Sequence, residues 1–253
     1  MPNPAGERLA RLSRVSTIHA AALTGRIGAD HLGTDGLSSL LYRAGGCTPS
    51  QGVDARWPHL LLRRAERPVR AALSDHTRSA PAAWMRWTHR DADPGQLVHK
   101  IYVSPAVVAT AAALTTTFAV APDLGIPAWP VGAAIAGLHR ADKVVLYLPT
   151  GEAADRAASA LAEALSHAVP QGVPFTGQVG TTGIVSRGVD HDGTSWRARV
   201  CRSLADALWA GRAAAGSTAP PEDVANLALE HLVDLRFDVE TWRPQPVATG
   251  SIR

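Results

Sequence analysis

Two of the 25 lysine and arginine residues in this 253-residue chain are lysines, Lys100 and Lys143. Arginine replaces lysine on a solvated surface, but not where a proton must be taken up. A guanidinium stays charged, whereas burial and nearby cations can draw an ammonium into the working pH range. An arginine-biased composition would leave the two lysines anywhere; both instead lie in strand-like runs. In Leu97-Val98-His99-Lys100-Ile101-Tyr102-Val103 the apolar positions leave Lys100 and Tyr102 together on one face at a period of two. Lys143 opens Lys143-Val144-Val145-Leu146-Tyr147-Leu148, the kind of run that fills a sheet buried on both faces. Ser104-Pro105 and Pro149-Thr150-Gly151 follow the two runs, so each strand is predicted to lead into a helix.

Arginines supply the second half of a possible site. A glycine-rich stretch from Gly172 to Gly193 reads as a long loop, and loops of that length are commonly functional. After it, Thr194 or Ser195 is placed to cap a helix whose Trp196, Val200, Leu204 and Leu208 form an apolar stripe. That stripe turns Arg197, Arg199 and Arg202 to flanking or exposed faces near the helix start. Free N–H groups and planar guanidinium forks there suit a phosphate or carboxylate. Arg140 and Arg187, in flanking segments, are counted with them as candidate phosphate ligands.

No glycine-rich nucleotide signature accompanies the arginines, so the expected anion is a phosphate carried on something else. Amine bases beside bound phosphate suit β-elimination from phosphoserine or phosphothreonine: one amine takes the α-proton and the arginines stabilise the departing phosphate. The base needs its pKa lowered by roughly 2 to 3 units, and Tyr102 or His99 could protonate the leaving group. His139 and Arg140, just before Lys143, are candidates for tuning it. Other chemistry has weaker support. Asp190-His191-Asp192 has ligand-type residues but sits in an Asp-Gly turn, so no metal and no cofactor is expected. No Gly-x-Ser-x-Gly supports a serine hydrolase. Cys47 and Cys201 are read as packing residues.

Around these residues the pattern predicts an α+β fold: a helical N-terminal region over 1–90, then a mixed α/β core with a central sheet over 91–253, in one continuous domain. Helices are predicted over 7–24, 36–44 and 58–75, before a turn at Asp91-Ala92-Asp93-Pro94-Gly95. Beyond it come a strand over 97–103, helices over 105–120 and 128–137, a strand over 142–148 and a helix over 152–168. A last helix runs from Pro220-Pro221 to about 233, and the tail from Pro244 to Arg253 is expected to fray. The net charge of +3 is mild. Arg63, Arg64, Arg67 and Arg70 read as one solvated helix face, so no nucleic-acid partner is expected. No run reaches the roughly 18 to 20 apolar residues of a membrane span, and Met1-Pro2-Asn3-Pro4 begins no signal-peptide core, so a cytoplasmic protein is expected.

Three segments together resemble a known family. They are His99 to Pro105, His139 to Tyr147, and Pro174-Phe175-Thr176 running through Gly193-Thr194-Ser195-Trp196-Arg197 to Ala205. They are similar to the HopA-type effector-like family, which includes lyase subunits of class V lanthipeptide and thioamitide biosynthesis. Leu37 to Tyr42 resembles that family's N-terminal helical region. These lyases are distantly similar to phosphothreonine lyase effectors, which use a lysine base, a Lys-x-His pair and phosphate-gripping arginines. The resemblance implies that Lys143 is the base, Lys100 the lysine of the pair and Arg197 a phosphate ligand. Tyr102 stands where the pair has histidine, which leaves the general acid open between Tyr102 and His99. The implied substrate is a phosphorylated ribosomal precursor peptide, and the implied partner is a separate kinase-like subunit, because the chain has no kinase signature. The alternative is a non-catalytic phosphopeptide- or leader-binding partner in the same pathway.

Overall fold

A computed structural model describes residues 7–47, 56–80 and 83–244 of the chain. The chain start at Met1, the turn residues Thr48 and Pro49 and the tail beyond Pro244 lie outside the described residues. Two long helices open the fold, α1 (Glu7–Arg26) and α2 (Ala29–Arg43). α2 is broken at Gly33, whose φ of +59° favours glycine. α3 (Trp57–Glu66) follows, carrying Arg63 and Arg64 on its exposed side, with Arg67 and Arg70 exposed just beyond it. The rest is a sequence of strands and helices: β1 (His76–Ser79), β2 (Trp84–His89), β3 (His99–Val103), α4 (Thr110–Val120), β4 (Ala128–Gly132), α5 (Ile135–His139), β5 (Val144–Leu148), α6 (Gly151–Ala164), β6 (Gly177–Val179), β7 (Val185–Val189), α7 (Trp196–Ala215) and α8 (Pro221–Asp234). The fold class is α+β with a helical N-terminus, as the pattern predicted.

All seven strands form one antiparallel sheet in the order β1-β2-β4-β5-β3-β7-β6. Three parts of it differ from the expectation. Residues 76–89, within the N-terminal third, form two strands of the sheet. Residues 128–132 are a buried strand rather than the start of a helix over 128–137, because periodicity cannot separate a short apolar run from a buried helix. Pro130 inside it lacks an N–H, and β4 registers with β5 at Ala128↔Tyr147 and Val131↔Val144 on either side of that gap. The stretch read as a long loop contains β6 and β7. Its Gly188 serves packing: a Cβ there would stand 3.0 Å from the Trp196 side chain.

The sheet separates two cores. One face carries Met85, Trp87, Ile101, Val103, Trp129, Val131, Val144, Leu146 and Leu148 and is closed by α3, α4 and α6 through residues such as Leu62, Phe118, Ala157 and Leu161. The other carries Tyr102 and Val145 with Ala141 and Val173. Beside it α1, α2, α7 and α8 pack into their own cluster around Leu37, Leu41, Phe175, Trp196, Leu204, Leu208 and Trp242. The candidate site lies on this second face, where sheet and helical layer meet.

Candidate active site

Alternation along β3 decides which predicted residues can cooperate. Lys100 lies opposite Tyr147 and Gly188, and Tyr102 opposite Val145 and Ser186, so both face the helical layer. His99 belongs to the other face. There it packs against the start of α6, a Cβ on Gly151 standing 3.4 Å from its ring, and burial followed by the Arg187 charge lowers its pKa. Arg187, paired across from Ile101, shares that face and forms an ion pair with Asp155 of α6. His99 and Arg187 therefore lie on the face of the sheet opposite Lys100 and Tyr102.

Lys100 is held as an ion pair. Its Nζ is 2.6 Å from Asp190 Oδ2, 3.5 Å from Ser195 Oγ and 5.1 Å from the Tyr147 ring centre. The other oxygen of Asp190 accepts the Trp196 N–H at 3.0 Å, so Asp190 performs the capping expected of Thr194 or Ser195. The neighbouring His191 Nδ1 meets Asp192 Oδ2 at 2.7 Å, and no group of three metal-ligating side chains forms among the described residues.

Lys143 is fully buried, and among the described residues its amine meets only neutral oxygens. It donates to the Pro105 carbonyl at 2.6 Å and to Gln171 Oε1 at 2.5 Å. Burial pushes its pKa down to about 8, against opposing contributions from Cys47 and Asp142. The lowering thus comes from desolvation and not from His139 or Arg140. The His139 ring bonds back to Ile135 O at 2.8 Å within α5.

Arg197 does not lie on a flanking face but is fully buried, because the start of α7 presses against the sheet. Its Nη1 is 3.1 Å from Asp142 Oδ2, its Nη2 donates to Tyr42 O at 2.7 Å, and its guanidinium lies 4.6 Å from the Tyr42 ring centre. Arg140 grips the same carboxylate from the other side through Nε at 2.7 Å and Nη2 at 2.9 Å. Burial alone would raise the Asp142 carboxyl, but the Arg140 hydrogen bonds and both guanidinium charges hold it below its ordinary value. Tyr102 is buried beside this cluster with a hydroxyl that meets no hydrogen-bond partner among the described residues. Burial pushes that hydroxyl well above its ordinary pKa of 10, offset in part by Arg197, so it remains a proton donor at neutral pH.

A cleft of about 350 Å³, lined by residues that include Tyr42, Arg43, Cys47, His139, Arg140 and Asp142, opens onto this cluster. Cys47 is exposed in it rather than packed, its Sγ 4.0 Å from Gln171 Oε1, whereas Cys201 is buried with its thiol pushed up to about 12. Two predicted arginines stay outside. Arg199 stacks over Trp196 at 5.2 Å, and exposed Arg202 links α7 to Asp35 of α2 and lies 3.6 Å from Asp206. Tyr42, Gln171, Asp142 and Asp190 are the site residues that sequence reasoning did not select. Asp142 and Asp190 sit in segments noted for charge and Tyr42 ends a segment noted for its resemblance, but Gln171 carries no local signal.

No family model matches the chain and no curated protein matches it. Among solved structures it is similar to an effector protein from Pseudomonas syringae pv. syringae strain 61, with a TM-score of 0.56 and 13% identity over 93% of this chain and 98% of that one. An effector protein from Pseudomonas syringae pv. tomato strain DC3000 is similar with a TM-score of 0.56 and 10% identity over 94% of this chain and 99% of that one. The phosphothreonine lyase effector of Shigella flexneri is more remote, with a TM-score of 0.41 and 10% identity over 56% of this chain and 79% of its own. Over nearly its whole length, the chain has the fold of the Pseudomonas effector proteins.

Proposed function

We propose that this chain is a phospholyase that removes phosphate from phosphorylated serine or threonine in a peptide, leaving dehydroalanine or dehydrobutyrine. The observation that carries the reading is a buried lysine at the entry to β5 whose amine meets no carboxylate among the described residues. It is next in the chain to the Asp142 carboxylate that Arg140 and Arg197 share, with the Tyr102 hydroxyl left unpartnered among the described residues on the same side of the sheet. With its pKa near 8, roughly a tenth of Lys143 is free base at pH 7, against well under a thousandth for an ordinary lysine. In the reaction Nζ takes the α-proton, the Cβ–Oγ bond breaks, its electron pair leaves with the phosphate, and the α-carbanion pair closes the Cα=Cβ double bond. Arg140, 41% exposed and lining the cleft, is the cation that a phosphate meets first, with Arg197 behind it. The Tyr102 hydroxyl supplies a hydrogen bond to the departing oxygen. Lys100, tied to Asp190, keeps the start of α7 and hence Arg197 in place. The sequence resemblance further supports a ribosomal precursor peptide as substrate and a separate kinase-like subunit as the source of its phosphate.

The purified chain, incubated with a phosphorylated Ser/Thr peptide, should release phosphoric acid from it, read by mass spectrometry. Lys143→Ala should abolish the loss, and Tyr102→Phe should slow it by about ten- to a thousandfold. Arg187→Ala, on the far face of the sheet, should change the rate little. An inert wild type, or full activity in Lys143→Ala, would overturn the reading and favour a phosphopeptide-binding role.

A further inference from the structure

The Gln171 side chain sits in a frame that fixes it at both ends. Its amide nitrogen donates to Gly45 O at 2.5 Å and to His139 O at 3.3 Å, while its oxygen receives the Lys143 amine at 2.5 Å. Turning the amide over would set its N–H groups against the amine and its oxygen against two carbonyls, so the partners define the orientation. The backbone is anchored as well. Gln171 N bonds to Ser104 O at 2.8 Å and Ala106 N to Val169 O at 2.8 Å, around the Pro105↔Pro170 bridge. The second acceptor of Lys143, the carbonyl of Pro105, belongs to the same short ladder. Both acceptors are therefore carried by one rigid unit.

A neutral amine has two N–H groups and one lone pair. Two fixed acceptors use both N–H groups and leave one tetrahedral position for the pair. We infer that Gln171 is a positioning residue for Lys143, aiming the lone pair of the base while adding no charge beside it. The inference rests on the lyase reading, in which Lys143 is the base. Among the described residues, the groups whose charge acts on the amine are Cys47, from the segment after α2, and Asp142, the residue before it in the chain. Both favour the ammonium, and a carboxylate at 171 would add to them at hydrogen-bond distance. A neutral amide gives the same geometry without that effect.

Because the chain holds two lysines, ¹³Cε-lysine labelling gives two side-chain signals, assigned with a Lys100→Arg variant. The isosteric Gln171→Glu should raise the Lys143 titration midpoint by about one unit or more and move the rise of the elimination rate with pH by the same amount. Gln171→Leu should not raise that midpoint, and should lower the high-pH plateau by about tenfold or more with little change in KM. An unmoved midpoint in Gln171→Glu, or a wild-type plateau in Gln171→Leu, would overturn the assignment. Circular dichroism checks the fold of both variants. A wild type that eliminates nothing removes the lyase reading instead, and the lysine titration then decides the Gln171 coupling by itself.

Discussion

Lys100 lies in β3 and Lys143 at the entry to its neighbour β5, yet their surroundings separate their roles, since Lys100 meets the carboxylate of Asp190 and, among the described residues, Lys143 meets only carbonyl-type oxygens. Desolvation without a counter-charge makes Lys143 a burden on the fold as well as a base. Its folded pKa of about 8 lies below the ordinary 10.5, so folding favours the neutral amine. The destabilisation is complete below about pH 8 and fades as pH rises toward 10.5. Lys143→Met should therefore stabilise the protein by about 1 to 3 kcal/mol at pH 7 while abolishing elimination. The gain should shrink by pH 10, as read by urea unfolding at both values. Equal gains at the two pH values would show that charge burial is not the cause. Parity along β3 was available in the sequence and already set His99 with Leu97, Ile101 and Val103, away from Lys100 and Tyr102. The partners of Lys143 were not legible, because Pro105 and Gln171 meet it only through the fold.

At the scale of elements, the start of α7 is the part on which the site depends. Asp190 caps it and pairs with Lys100, Gly188 lets Trp196 lie against β7, and Arg197 cross-links it to Asp142 ahead of β5 and to the carbonyl of Tyr42 near the end of α2. Removing Arg197 leaves Asp142 with Arg140 as its remaining cation and leaves the Tyr42 carbonyl without that donor. Arg197→Met should cost about 1 to 3 kcal/mol. Arg197→Met combined with Asp142→Leu should cost less than the sum of the single changes by about 1 kcal/mol or more, measured as a double-mutant cycle in urea. Strict additivity would mean that the pair does not couple α7 to the sheet. Here sequence reasoning placed the helix and the flanking or exposed positions of Arg199 and Arg202 but misjudged the burial of Arg197. The Trp196-Val200-Leu204-Leu208 stripe marks one buried side, whereas this start of α7 is covered on more than one side.

The whole molecule is organised by a sheet with a core on each face, and its strands come from both sides of the turn at residues 91–95. β2 pairs with β4 and contributes Met85 and Trp87 to the first core, while α1 and α2 contribute Ala21, Leu37 and Leu41 to the second. A fragment comprising residues 91–253 should therefore fail to fold, since β4 would become a bare edge and both cores would lose apolar surface. It should lack a cooperative thermal transition and dispersed amide signals. A cooperatively melting fragment would show that the core beyond residue 90 stands without the N-terminal third.

What the sequence determined is what depends on near neighbours: the strands around Lys100 and Lys143, the long helices, the α+β class and the placing of Lys100 and Tyr102 on one face. These follow from side-chain period and local stops, which hold wherever the segment lies. Tertiary structure alone decided the rest. It made a strand of Ala128 to Gly132, buried Arg197, exposed Cys47, brought Gln171 to Lys143 and Asp190 to Lys100, and joined Tyr42 and Arg197 around Asp142. Those outcomes depend on which surfaces meet, and the desolvation that lowers the pKa of Lys143 exists only once the fold has buried it.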